Sequence, residues 1–144
     1  MADIVIEQTA VQVQTASASR RGIGFGPAPS GDLSPEIGTR GLRNLDDPLR
    51  AALQLSVQAT FEGGSFEVVL AGAYTLPRPL AELSVEEIRS VSEQMAVTLT
   101  PFLRAEVMTL TERVFGATVR PPLQMLHPEA YDDITAQLMV PLPE

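Results

Sequence analysis

The chain has 144 residues, a length typical of one domain, with a formal net charge of -8 and neither cysteine nor lysine. Without cysteine there are no disulfides, no thiolate zinc sites and no thiol catalysis, and the single histidine, His127, rules out a multi-histidine metal site within one chain. The acidic balance leaves no basic stripe to displace counterions, which argues against nucleic-acid binding and suits a basic partner surface. The opening MADIVIEQTA has acids where a secretory signal has bases, and no stretch approaches the ~20 apolar residues of a membrane span. A cytoplasmic protein without membrane insertion is expected.

Residues 3–19, DIVIEQTAVQVQTASAS, are rich in β-branched side chains, and AVQVQT alternates as a strand with one wet face does. Residues 20–47 hold Gly, Pro, Ser and Asn in close succession and read as a long irregular connection. Within it, GIGFG offers a short strand that its own glycines weaken. LRAALQLSVQATF (49–61) then puts Leu53, Leu55, Val57, Ala59 and Phe61 on one face and Gln54, Ser56, Gln58 and Thr60 on the other. EGGS (62–65) is a glycine turn, and FEVVLAGAYTL (66–76) returns as the second strand of a β-hairpin. That strand is apolar on both faces except at Glu67 and Thr75, so both faces are expected to be covered.

The PRP at 77–79 breaks the pattern. Ser84 with Glu87 makes a capping box, and Val85, Ile88, Val91 and Met95 form a helical stripe. Thr100 reads as the cap of a second helix that begins at Pro101, carries Leu103, Val107, Leu110 and Val114, and stops at Gly116. From Arg120 onward five prolines predict an extended segment, with 132–144 as a short tail. Strands precede helices, so the expectation is a single α+β domain over 1–144: an antiparallel sheet of about four strands, then two helices packed on one side and a proline-rich C-terminal segment.

No enzymatic constellation emerges. Nucleophilic catalysis needs an activated side chain beside a base, and the one histidine sits in a proline-flanked tail. GIGFG lacks the strand–turn–helix setting that brings phosphates to a helix N-terminus. Adjacent carboxylates such as Glu86-Glu87, Asp46-Asp47 and Asp132-Asp133 do not point the same way on any regular element. Phe102 and the leucine stripe read as core before they read as a cofactor box. The reading is of a non-enzyme with no cofactor and no metal.

The C-terminal half resembles the SecB family of protein-export chaperones. The resemblance runs through AGAYTL, an acidic capped helix, TPFLRAEVMTLTERVFG, then PPLQML and AYDDI, over about residues 49 to 135. Pro101, Phe102, Arg104 and Glu106 stand near the family's Pro-Tyr-Ala-Arg-Glu, with phenylalanine for tyrosine and an alanine between Arg104 and Glu106. Pro121, Pro122, Leu123 and Met125 match its proline-rich segment, and Tyr131 and Asp132 its aromatic-Asp pair. The family has four strands, so a fourth is expected from splitting 3–19 or from residues 20–26. Its last helix is expected to be nearly missing.

The resemblance implies an ATP-independent holdase for unfolded or aggregation-prone polypeptides, in export or in antitoxin protection, assembled as a homotetramer built as a dimer of dimers. SecB-like chaperones of toxin–antitoxin systems and divergent phage and actinobacterial forms belong to the same group. The client groove it implies takes Phe25, Leu42, Phe102, Leu123, Met125, Leu126 and Tyr131. Glu67 aligns with a sheet glutamate that contacts the basic tail of SecA, and Ser65 stands where the family has leucine, so these two mark partner docking. SecA or an antitoxin is the implied partner. The alternative is a dedicated structural or partner-docking module without general clients.

Overall fold

The computed structural model describes residues 4–20, 36–61, 64–116 and 126–139. The elements are β1 (Glu7–Arg20), β2 (Glu36–Arg43), β3 (Arg50–Phe61), β4 (Gly64–Thr75), a 3-10 turn at Leu80–Glu82, α1 (Val85–Phe115) and α2 (Pro128–Met139). The sheet order is β1-β4-β3-β2, and every neighbouring pair is antiparallel.

The alternation in β3 and β4 decides which face the helices cover. Leu53, Leu55, Val57, Val68 and Leu70 point to one side, where they meet Val91, Met95, Leu99 and Leu103 of α1 in a single buried cluster. Burying each such side chain contributes roughly 1.5–3 kcal/mol. The opposite face carries Gln54, Ser56, Glu67, Val69, Ala71 and Ala73, which are half-buried. β4 was expected to be covered on both faces; the helices of this chain cover one. β1 pairs along the whole of β4, with irregularities between Gln8 and Ala10 and between Val13 and Thr15 that add local twist.

Three expectations are corrected. The fourth strand is β2, inside the stretch read as an irregular connection, and residues 7–20 form one unbroken strand. Gly38 and Gly41 hid β2, because they stand where side chains would have shown the alternation. A Cβ at Gly41 would lie 3.1 Å from the carbonyl oxygen of Ile134 and 3.2 Å from the Leu138 side chain, so the missing side chain lets α2 sit on the strand.

The two helices read around Thr100-Pro101 are one 31-residue helix, about 46 Å long at 1.5 Å per residue. Ser84 and Glu87 form the capping box, and Gly116, at φ 72°, ends it in the left-handed conformation. The Thr100 hydroxyl donates backward to the carbonyl of Ala96 at 2.6 Å and does not act as a cap. Pro101 lies on the exposed side, so the ring costs a hydrogen bond there without breaking the buried stripe.

The tail read as extended contains α2. Pro128 occupies its first position, where a missing N–H costs nothing, and Ile134 and Leu138 bury its apolar face. The aromatic-Asp pair, Tyr131 and Asp132, lies within this helix.

Candidate functional site

The side chains with chemistry to offer are mostly occupied. Ser92, Thr100, Thr111 and Thr135 are buried, and each donates to the carbonyl four residues earlier in its own helix. Ser92 and Thr135 also join α1 to α2 at 2.9 Å. The Tyr74 hydroxyl donates to the carbonyl of Met95 at 3.0 Å, stands 3.0 Å from Thr98 Oγ1 and accepts from Gln8 Nε2 at 3.1 Å. Burial pushes its phenol above the ordinary value of 10.0, against smaller lowering by Thr98 and Gln8. Among the described residues, no group of acids and histidine is placed to hold a metal. The ion pairs Arg50–Asp47, Arg78–Glu87 and Arg89–Asp132 lie on the surface, where such pairs stabilise by about 0–1 kcal/mol.

Apolar surface is more informative. α1 buries one stripe and exposes another. Val97 is 58% exposed and Phe102 46%, and Pro101 and Ala105 are exposed with them. The spacing 97, 101, 105 runs along one side of a helix. Over this stretch α1 is apolar on the side that faces the sheet and on the side that faces away.

Of the residues expected to form the client groove, the four that are described, Leu42, Phe102, Leu126 and Tyr131, lie on different parts of the chain. Phe102 follows Thr98 by one helical turn, and Thr98 meets Tyr74, so both lie on the β1–β4 flank of α1. The opposite flank carries Arg89 and Ser92, which meet α2. Leu126, 6% exposed, is in the core, and Tyr131 packs partly against it. Leu42 pairs with Ala52 and shares the sheet face turned away from the helices. Phe25, Leu123 and Met125, with GIGFG and the Phe61 side chain, lie outside the described residues.

Glu67 and Ser65 do come together with other groups. They face Ser17 and Ser19 of β1 and Gln58 and Thr60 of β3 across the outer sheet face. These residues line a shallow depression of about 340 Å³, rich in hydroxyls and carrying one carboxylate. A second depression, of about 380 Å³, lies between α1 and the start of β1, lined by Ile6, Gln8, Tyr74, Glu93, Gln94 and Val97.

Sequence reasoning passed over two glutamines. The Gln94 side chain accepts from the Ile6 N–H at 3.2 Å and donates to the Ile4 carbonyl at 2.7 Å. The Gln137 side chain accepts from the Gly41 N–H and donates to the Thr39 carbonyl at 3.3 Å. Each carboxamide thus binds extended backbone as a neighbouring strand would. A polar residue on a helix gives no sign of this in sequence, because the partner is 88 to 98 residues away.

The sequence matches no protein-family model and no curated protein. The structure is similar to the Mycobacterium tuberculosis Rv1957 SecB-like chaperone, solved in complex with a ChAD peptide from the Rv1956 HigA1 antitoxin. The TM-score is 0.63 at 13% identity, over 82% of this chain and 86% of that one. A protein of unknown function from Streptococcus agalactiae superimposes with a TM-score of 0.47 at 12% identity, over 83% of this chain and 98% of that one. Four antiparallel strands with two helices on one side, superimposed on Rv1957, give this chain a SecB-like fold.

Proposed function

We propose that this protein is an ATP-independent chaperone that holds unfolded or aggregation-prone polypeptides on exposed apolar surface, without catalysis. The observation that carries the reading is the second apolar side of α1, at Val97, Pro101, Phe102 and Ala105, left open in a fold whose core is already filled. Unfolded chains differ from folded ones by their exposed apolar side chains, so such a surface recognises them without side-chain readout. The net charge of -8 keeps a sticky surface soluble. Part of the same stripe joins copies into a dimer of dimers, and the remainder, with the groove residues named from sequence, takes the client. The SecB-like neighbour in complex with an antitoxin peptide supports a peptide client and an antitoxin as the dedicated partner; SecA is the partner that the sequence resemblance alone implies.

The test is suppression of aggregation of several unrelated unfolded proteins, alongside the native mass. Protection without nucleotide, by a protein of tetrameric mass, is the expected result. A fully soluble monomer at micromolar concentration that protects none of them would remove the reading. Val97→Glu with Ala105→Glu is expected to lower the native mass while the isolated fold survives, since both positions are exposed.

A further inference from the structure

Ile4, Val5 and Ile6 precede β1 and run past the end of its partner. Glu7 faces Thr75, the last residue of β4, and Pro77 just beyond has no N–H to offer a strand. The segment takes main-chain bonds from α1 instead. Gln94 Oε1 accepts from the Ile6 N–H at 3.2 Å, and Gln94 Nε2 donates to the Ile4 carbonyl at 2.7 Å. The second hydrogen of the same Nε2 goes to Ser90 Oγ, one helical turn earlier, at 3.1 Å. Both N–H groups and the oxygen of the carboxamide are therefore in use, and Ser90 fixes which way it faces.

Burial alternates along the segment. Ile4 is 5% exposed and Ile6 is half-buried, whereas Val5 between them is 77% exposed. Ile6 shares with Val97 the depression of about 380 Å³ between α1 and the start of β1. Gln94, Val97, Pro101 and Ala105 follow one side of α1 at spacings of three and four residues. The clamp thus stands at the N-terminal end of the exposed apolar stripe, and Ile4 and Ile6 lie over that end while the rest of the stripe is open. What holds them is two hydrogen bonds from one side chain, one buried isoleucine and part of another. Segments held by so little buried surface open locally, at a small fraction of the global stability.

We propose that residues 4–6 are a strap over the first turn of the exposed α1 stripe, clamped by Gln94, and that its release uncovers apolar surface continuous with Val97. The closed strap limits how much of the stripe is open to binding. This deepens the holdase reading and rests on it. The strap has the chemistry of an unfolded chain, extended backbone with apolar side chains two residues apart, so strap and client compete for the same surface. The protein then hides part of its own adhesive surface until something displaces the cover.

The test uses the full chain and three variants. Gln94→Ala removes the clamp; Ile4→Ser with Ile6→Ser removes the apolar hold and leaves the clamp; Val5→Ser alters an exposed side chain and serves as control. Hydrogen exchange at the Ile6 amide is expected to be about tenfold faster in Gln94→Ala than in wild type, with the Leu70 amide in the core unchanged. Binding of Nile red, an uncharged apolar dye, and protection of unfolded proteins at limiting chaperone should both rise about threefold in the two opening variants and stay at the wild-type level in Val5→Ser. Should the double variant fail to fold, Ile6→Ser alone changes a half-buried position and is expected to give the same direction. Unchanged exchange at Ile6 in Gln94→Ala overturns the clamp. Faster exchange with dye binding and protection unchanged means that the segment frays without covering anything; it overturns the strap and leaves the holdase reading standing. Weaker protection by the opening variants makes residues 4–6 part of the client surface and likewise overturns the cover. More dye bound by the opening variants, with no protection of any unfolded protein by any form, keeps the strap and removes the holdase reading.

Discussion

The ring of Tyr74 lies back over Gly72. A Cβ at Gly72 would stand 3.0 Å from both Cε2 and the hydroxyl oxygen of Tyr74, and 3.1 Å from a methyl of Leu99. The two residues are two apart on β4 and point to the same side. The vacancy at 72 lets the phenol tuck under α1 and reach the carbonyl of Met95. The AGAY run is thus a packing device: a glycine to make room and a tyrosine to use it. Tyr74→Phe is expected to destabilise by about 1–2 kcal/mol, from the lost hydrogen bonds. Gly72→Ala should cost more, about 2–3 kcal/mol, by overpacking the ring against α1. Urea denaturation of both variants checks the order.

The capping box of α1 titrates. The Glu87 carboxyl is held below its ordinary 4.5, first by the backbone N–H of Ser84; burial opposes this as the next-largest effect, and the Ser84 hydroxyl and Arg78 lower it further. A carboxyl whose folded pKa is depressed contributes stability above its unfolded value and loses it as pH falls through the folded one. The melting temperature of wild type should therefore exceed that of Glu87→Gln at neutral pH, and the gap should close as pH drops below about 4.5. A gap that stays constant into acid would show that the carboxylate contributes nothing as a charge.

Leu55 and Leu110 belong to the same apolar pattern but to different depths. Leu55 is fully buried in the middle of β3, whereas Leu110 is only partly covered. An unpaired carboxylate at Leu55 has no route to water, so Leu55→Asp is expected to lose more than about 4 kcal/mol and fail to fold. Leu110→Asp can turn outward and should lose about 1–2 kcal/mol. Circular dichroism melts of the pair distinguish the two depths.

Pro101 interrupts the hydrogen bonding of α1 on its exposed side. Pro101→Ala restores an N–H and is expected to raise stability by about 1–3 kcal/mol, read from the urea midpoint. A wild-type midpoint would mean that the helix already bends at no cost.

Glu67 is the carboxylate of the hydroxyl-lined depression on the outer sheet face. If that face docks a basic segment, Glu67→Arg should weaken the binding of an arginine-rich peptide at low salt, with the difference shrinking at moderate salt as exposed charges are screened. Client protection should be unchanged, since α1 lies on the other side of the sheet. Equal affinity of the two proteins for the peptide would leave Glu67 as a solubilising surface charge.

What the sequence discloses follows from who supplies the signal. β3 and β4 alternate because each has one face in the core, and that periodicity is written in their own residues. The ends of α1 are legible for the same reason, since Ser84, Glu87 and Gly116 act on adjacent backbone. β2 is not legible, because Gly41 answers to α2, ninety-odd residues later, and Gly38 to Ser56 of β3. Thr100-Pro101 misleads because a cap and a mid-helix proline on an exposed face share the same two letters; only the buried stripe on either side decides between them. α2 is masked by the prolines around it, although Pro128 in fact begins it. Of the candidate site, Glu67 and Ser65 were named through the family resemblance, and strand alternation puts the two on one surface. The separation of Phe102 from Leu126 and Tyr131 depends on which flank of α1 faces α2, a tertiary relation with no local trace.

The pairing of β1 with β4 has a consequence for how the protein is made. β1 is complete at Arg20, but the strand it lies against ends at Thr75, about 55 residues later. At translation speeds of roughly 5–20 residues per second, β1 leaves the ribosome several seconds before its partner exists. During that interval a 14-residue strand with two free edges waits in the crowded space around the ribosome. Such non-local pairing also slows folding once the chain is released. β1 is rich in polar side chains, with Gln8, Gln12, Gln14, Thr15, Ser17 and Ser19, and so is a less apolar aggregation template than β3 or β4. By the proposed reading, the protein must spend its own synthesis as the kind of molecule it later protects.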